Sequence, residues 1–329
     1  MKRIIGAILL LTMCASVLLT AVSCGSNDVT KLDVGFMSGP TGMGMAKLIQ
    51  DNGGVEGNDK YKFYNYEDKT DNAMADLIAG DVDIVCVPTN LAASFYNKNG
   101  GITVLAVNCL NSLYVVTDKS ITLTSFDELD GQTVYTCLSG TPKAIMEHAL
   151  ASAGVNATVS TSIDGETIDT PKELGELVQN GSLPIAAMPE PIITSALLAI
   201  QKAGNTDIAY SIDLNVADAW SEGHTTPITM GCIVAKTDFV NQNKAAIDSF
   251  LADYKASVEY VGDADNLGSA ANYVVESGIM GALPAAKKAL GNLGGAIAYI
   301  DGADMKSALV AFYEAIGITL PADAFYYEK

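Results

Sequence analysis

Lys31–Gly39 reads KLDVGFMSG, and Gln132–Gly140, 101 positions later, reads QTVYTCLSG. Each is an alternating strand that closes in Ser-Gly. Each then enters a helix. Met45, Leu48 and Ile49 fall at i, i+3 and i+4 after the first strand, and Met146, Ala149, Leu150 and Ala153 keep the same spacing after the second. The second helix is marked at its start by Thr141 as N-cap and Pro142 at the first helical position. A further pair of segments repeats the offset. Ala75–Pro88 (ADLIAGDVDIVCVP) and Gly175–Pro189 (GELVQNGSLPIAAMP) each end a helix at a glycine, run through an apolar strand and stop at a proline. The helix in the second copy opens with Thr170-Pro171-Lys172-Glu173, a capping box. Strands alternating with helices, present twice, predict an α/β protein: two lobes, each a parallel-type sheet flanked by helices, joined by a hinge.

Outward from this repeat, Leu113–Asp118 and Pro227–Lys236 are apolar runs flanking the second copy, and they are expected to connect the lobes. Lobe 1 is then 31–112 plus 229–329, and lobe 2 is 113–228. The region after 236 reads as helical. Phe250, Leu251, Tyr254, Val258 and Val261 keep helical spacing, as do Met305, Leu309, Phe312 and Ile316, so these segments should pack around lobe 1.

Open parallel sheets bind ligands beyond the carboxyl ends of their strands. Those ends place Ser38, Gly39, Pro40, Thr41 and Gly42 on one wall of a cleft, Thr89 and Asn90 beside them, and Ser139, Gly140 and Thr141 on the opposite wall. Asn108, after a strand over 103–107, is a further candidate. Glu190 stands between two prolines at a strand end, where its carboxylate could accept an N–H or ammonium from a ligand. Gly39–Gly44 has the GxxxxG spacing of a phosphate loop, but Met45 and Ala46 replace the Lys and Ser/Thr that would hold phosphate and magnesium. What remains is glycine-permissive backbone ahead of a helix N-terminus. There is no GxSxG elbow and no Ser, His and acid constellation. His148 and His224 are 76 positions apart, without a metal-ligand pattern around either. No catalytic residue, metal or cofactor is expected.

The chain has 329 residues, 49% hydrophobic and 17% charged, enough for about two domains of ordinary size. Its formal charge of −19 excludes a protein that must neutralise nucleic-acid phosphates. Lys2 and Arg3 precede an apolar run from Ile4 to Val22, the pattern of an export signal over 1–23. Removing it takes the charge to −21, because the segment holds two bases and no acid. Ala21-Val22-Ser23-Cys24 resembles the lipobox of bacterial lipoproteins, which implies lipidation of Cys24 and a tether over 24–30. No later run approaches the ~20 apolar residues of a membrane span. Cys86, Cys109, Cys137 and Cys232 lie in apolar strand-like runs and read as buried thiols, although export would also permit a disulfide.

MSGPTGMGMAKLIQD (37–51), VPTNLAASFYNKNGG (87–101), LAVNCLNSLYVV (105–116) and MPEPIITSAL (188–197) resemble the corresponding stretches of solute-binding lipoproteins of ABC importers. The group is that of the nitrate, sulfonate and thiamine-precursor binders, with the type II periplasmic-binding-protein fold. The resemblance implies a monomer that captures a small organic solute or anion between its lobes and delivers it to a permease with its ATPase. It also implies an extracytoplasmic location, lipid-anchored to the outer face of the bacterial cell membrane. Sulfonate, nitrate and pyrimidine-like ligands stay open. The reading from another class is an exported enzyme, or a ligand sensor outside transport, on the same scaffold. Replacing Cys24 by Ser is expected to move the protein from the membrane fraction to the soluble one; retention of Cys24→Ser with an intact 1–23 segment would show an uncleaved anchor instead.

Overall fold

The computed structural model describes residues 30–67, 69–138 and 140–328. The expectations for the export signal, for Cys24 with its tether up to Val29, and for Ser139 lie outside these residues. In chain order the strands are β1 (Leu32–Phe36), β2 (Tyr61–Asn65), β3 (Ile84–Pro88), β4 (Ile102–Cys109), β5 (Leu113–Asp118), β6 (Thr133–Tyr135), β7 (Thr158–Ser160), β8 (Ser162–Ile163), β9 (Glu166–Thr167), β10 (Ile185–Pro189), β11 (Tyr210–Asn215), β12 (Gly231–Lys236) and β13 (Ile297–Ile300). They form a six-stranded sheet in the order β13-β4-β12-β3-β1-β2, a five-stranded sheet in the order β11-β5-β10-β6-β7, and the small pair β8-β9.

The repeat seen in the sequence is a repeat of topology. β2-β1-β3 and β7-β6-β10 are parallel trios, with β1 and β6 at their centres. Each trio continues into antiparallel strands: β12 and then β4 beside β3, and β5 and then β11 beside β10. The sheets are therefore mixed. Leu113–Asp118 and Pro227–Lys236 were expected as connections; the first, and Gly231–Lys236 of the second, are fully integrated strands. A run such as Leu113–Thr117 is buried throughout, and only a sheet interior satisfies its backbone while covering both faces. The chain passes from one sheet to the other over 110–112 and returns over 216–230.

Helices cover both faces of the larger sheet. Lys244–Gly262 buries Phe250, Leu251, Tyr254, Val258 and Val261, and Gly302–Ala315 buries Met305, Leu309 and Phe312. Ile316 falls just past that helix as its C-cap and is half-buried. The helix after β1 is split into Pro40–Met43 and Ala46–Asp51. Ser257 causes the break. Its hydroxyl donates to the Gly44 carbonyl (2.6 Å) and accepts from the Leu48 amide (2.9 Å), standing between the two groups that would otherwise bond to each other in a continuous helix. Helix Pro171–Gln179 begins at the expected capping box, with Glu173 N–H donating to the Thr170 hydroxyl.

Cys86, Cys109 and Cys232 are buried thiols outside any disulfide, and burial pushes those of Cys86 and Cys109 up to about 12. Among the described residues no helix is long and apolar enough to cross a membrane.

Gly231, the first residue of β12, has no room for a side chain: a Cβ would lie 2.4 Å from Thr41 Cγ2 and 2.6 Å from Asn108 Oδ1. Gly231→Ala is expected to lose about 1–3 kcal/mol in chemical denaturation. Gly268→Ala, on an exposed helical site with nothing within 4 Å, is expected to gain about 0.4–1 kcal/mol. Equal effects would contradict the packing described here.

Candidate ligand cleft

The carboxyl ends of β1 and β3 in one sheet, and of β6 and β10 in the other, each lead into a helix start. Gly39 and Gly140 occupy the same place in the repeat and share the left-handed region, at φ 83° and 80°, which a non-glycine residue enters only with strain. Gly42 is as constrained sterically, since a Cβ there would sit 1.9 Å from the Met37 carbonyl oxygen. Between loops that follow strands of different sheets, Gly39 lies against Pro191, whose Cδ is 3.5 Å from the position of a Gly39 Cβ. The loop after β1 and the loop after β10 thus meet.

Most of the expected site residues do have polar duties within the protein. Ser38 N–H donates to the Glu67 carbonyl (2.7 Å), while the residue itself is half-buried. Pro40 and Thr41 are half-buried, and the Thr41 carbonyl accepts from Asn108 Nδ2 (2.9 Å). Asn108 is inside β4 rather than after it, and is fully buried. It supports the glycine loop from beneath. Thr89 is buried too: its hydroxyl donates to the Thr229 carbonyl (2.7 Å), its amide to the Met230 carbonyl (3.1 Å), and its own carbonyl accepts from the Tyr313 hydroxyl (2.9 Å). Asn90 is half-buried at the same helix start, Thr141 is half-buried, and Gly140 is exposed. Thr141 holds the N-cap position of helix Pro142–Ser152 without a side-chain capping bond.

Glu190 has the most elaborate surroundings. It is only 2% exposed, its amide donates to the Ser112 carbonyl (2.8 Å), and its peptide bond to Pro191 is cis. Its Oε1 accepts from the Thr194 hydroxyl (2.9 Å) and from Asn292 Nδ2 (2.5 Å), and its Oε2 accepts from the Thr194 amide (3.2 Å). Burial pushes its carboxyl above the ordinary carboxylate range, with the bonds from Asn292 and Thr194 holding the rise back. Both oxygens therefore already have protein donors. Asn292 belongs to helix Leu283–Leu293, and its carbonyl accepts from the Tyr114 hydroxyl (2.7 Å) at the start of β5. Asn292 thus joins a helix that follows β12 to both β5 and the end of β10. It was not legible in the sequence, because its partner is 102 positions away and the helix pattern marks it only as a polar position.

The structure also brings His148 and His224 into contact, which their spacing did not suggest. A cavity of about 450 Å³ lies beside the two crossings, lined by Asn111, Tyr114, Asn215, Trp220 and His224 among others. None of the residues expected from the strand ends lines it. Among the described residues no group of three or more His, Cys, Asp or Glu could hold a metal ion.

Two mixed sheets, each a parallel trio continued by antiparallel strands, give a fold shared with solved periplasmic binding proteins. The chain is similar to an ABC transporter structure from Parabacteroides distasonis, at 20% identity and a TM-score of 0.69, over 91% of this chain and 99% of that one. It is similar to the periplasmic aliphatic sulphonate binding protein SsuA of Escherichia coli, at 15% identity and 0.66, over 91% and 92%. The periplasmic nitrate-binding protein NrtA of Synechocystis PCC 6803 matches at 13% and 0.59, over 88% and 81%. At these identities the likeness is one of fold. No protein-family model matches the chain, and no curated protein matches it in sequence.

Asn292→Ala removes a donor to a buried carboxylate and is expected to cost about 1.5–3 kcal/mol at pH 7 in chemical denaturation. The Asn292 bond favours the charged form, so its removal raises the Glu190 pKa further. The penalty should be full at neutral pH and shrink as acid protonates Glu190, whose titration already lies above 4.5. A penalty independent of pH would show that the bond does not act on the carboxylate.

Proposed function

We propose that this protein is the extracytoplasmic solute-binding subunit of an ABC importer, capturing a small organic solute or anion between its two lobes and delivering it to a permease. The observation that carries the reading is the meeting of strand-end loops from the two sheets, Gly39 against Pro191, beside chain crossings of only three and fifteen residues. On this reading lobe 1 is 31–112 plus 229–329 and lobe 2 is 113–228. An open and a closed arrangement differ by a few kcal/mol, and a solute touching both walls stabilises the closed one by its differential affinity. The walls are Ser38–Gly42 with Asn90 on one side and Gly140 with Thr141 on the other, while Thr89 and Asn108 hold the first wall in place.

The buried Thr229 hydroxyl, beside Thr89 under the first wall, has no hydrogen-bond partner among the described residues. With both oxygens of Glu190 occupied by Thr194 and Asn292, the ligand contacts fall to backbone amides and neutral hydroxyl and amide groups. That composition favours a compact anion such as a sulfonate or nitrate over an amine-bearing solute. The similarity in fold to sulphonate- and nitrate-binding proteins supports the same choice. The reading includes no catalytic step, anchoring through Cys24 at the outer face of the membrane, and a monomer in solution.

A thermal-shift screen of alkanesulfonates, nitrate, pyrimidines and amino acids checks this. One class should raise the melting temperature by several degrees, since a ligand at 100 times its dissociation constant adds about 2.7 kcal/mol. A hit among sulfonates or nitrate fits the neutral cleft. Silence across the panel would overturn the solute-binding reading.

A further inference from the structure

His148, on helix Pro142–Ser152, and His224, the first residue after helix Val216–Gly223, approach with their Nε2 atoms 2.6 Å apart. Trp220 stacks on the His224 ring at 4.5 Å and 25°, and lies 5.1 Å from that of His148. Its indole N–H donates to the Thr226 carbonyl (3.0 Å) in the return crossing, and its other ring contact is Phe312, 5.9 Å away on helix Gly302–Ala315. That helix packs on β4 of the larger sheet. Trp220 is 1% exposed and is the only tryptophan in the chain. One cluster therefore links a helix of the smaller sheet, the return crossing and a helix of the larger sheet.

Two imidazoles in Nε2-to-Nε2 contact can share one proton but not hold two, because two N–H donors with like charges would then face each other. Among the described residues no acid acts on His148 to offset that repulsion. On the helix of His148, Lys143 and Glu147 pair with each other (3.6 Å). The helix of Trp220 carries Asp218 and Glu222, and β7 and β10 present no titratable side chain. Asp118 on β5 accepts from Ser120, Asp213 on β11 accepts from Thr117 and Leu123, and the Tyr210 hydroxyl donates to the Leu183 carbonyl. Helix Gly302–Ala315 carries Asp304, Lys306 and Glu314, and Lys306 pairs with Asp323. Burial lowers the His148 pKa first, the charge of His224 second, and nothing raises it. With no third ligand among the described residues, the pair also lacks the donor set of a structural zinc site.

We propose that the His148–His224 pair is an acid-sensitive joint: a second proton drives the rings apart, unseats Trp220 from the return crossing and from Phe312, and frees the lobes to open. Its consequence for solute release rests on the solute-binding reading above; the joint itself does not. The sign follows from the lowered His148 pKa. The pair is intact while one proton is shared between the two Nε2 atoms, and its contribution is lost as pH falls from the unfolded histidine value of about 6.5 through the lowered folded value of His148.

Trp220 fluorescence reports the joint directly in the unliganded full-length protein, since unseating would bring the buried indole into water and move its emission to longer wavelength. Between pH 8 and pH 5 the emission maximum should move to longer wavelength. In His148→Gln, which lacks the second imidazole and so the like-charge repulsion, this movement should be absent. Small-angle X-ray scattering should show the radius of gyration growing on acidification in the wild type and staying constant in His148→Gln. His148→Asn serves as a second variant should the first fold poorly. A wild-type emission maximum independent of pH, the same movement in both variants, or a radius of gyration independent of pH would each overturn the joint while leaving the solute screen to stand or fall alone.

Discussion

The two strands that open each crossing's destination, β5 and β12, are what every other feature of this molecule leans on. Each enters a sheet from the other lobe and pairs antiparallel with the strand that ends in proline, so that Leu113 lies opposite Pro189 and Gly231 opposite Pro88. The pairing fixes the crossings against the strand ends. Glu190 N–H then reaches the Ser112 carbonyl, Thr89 N–H reaches the Met230 carbonyl, and Ser112 itself contacts the Met230 sulfur (3.3 Å). Backbone hydrogen bonds buried on both faces of a sheet hold their register tightly, because a slip of one residue would turn every buried side chain outward. The geometry of the cleft is thus set by sheet pairing rather than by the loops that line it.

Around that frame, polar groups act as struts. Asn108 supports the Thr41 carbonyl from below, Ser257 replaces a missing helical bond, and Asn292 ties the end of β10 to a helix following β12. Each is buried or nearly so and each serves backbone or a carboxylate that would otherwise lose its partner. Such struts fix the loops. Glu190, between prolines at a strand end, is held in the same way, its carboxylate accepting from Thr194 and Asn292.

The strand–helix repeat, the capping box at Thr170 and the amphipathic helices of the C-terminal region were legible in the sequence. Their causes are local: period-two alternation, helical spacing, a glycine where φ must be positive. Leu113–Asp118 and Gly231–Lys236 were legible as apolar runs but not as sheet strands, since a run alone does not name the strand it pairs with. The strand-end residues from Ser38 to Thr141 were found by position; whether a given hydroxyl faces outward or is held by a carbonyl, as that of Thr89 is by Thr229, depends on a residue 140 positions away.

By itself, then, the sequence determined an acidic chain with a duplicated α/β unit and the four strand ends from which a cleft would be built. Local backbone preference and apolar periodicity are written in neighbouring residues, so they survive without a fold. Only the tertiary structure decided that Glu190 meets Asn292, that Ser257 enters a helix break, and that His148 meets His224 against Trp220. Those contacts join positions far apart in the chain, and their energies exist only once the sheets have brought the partners within reach.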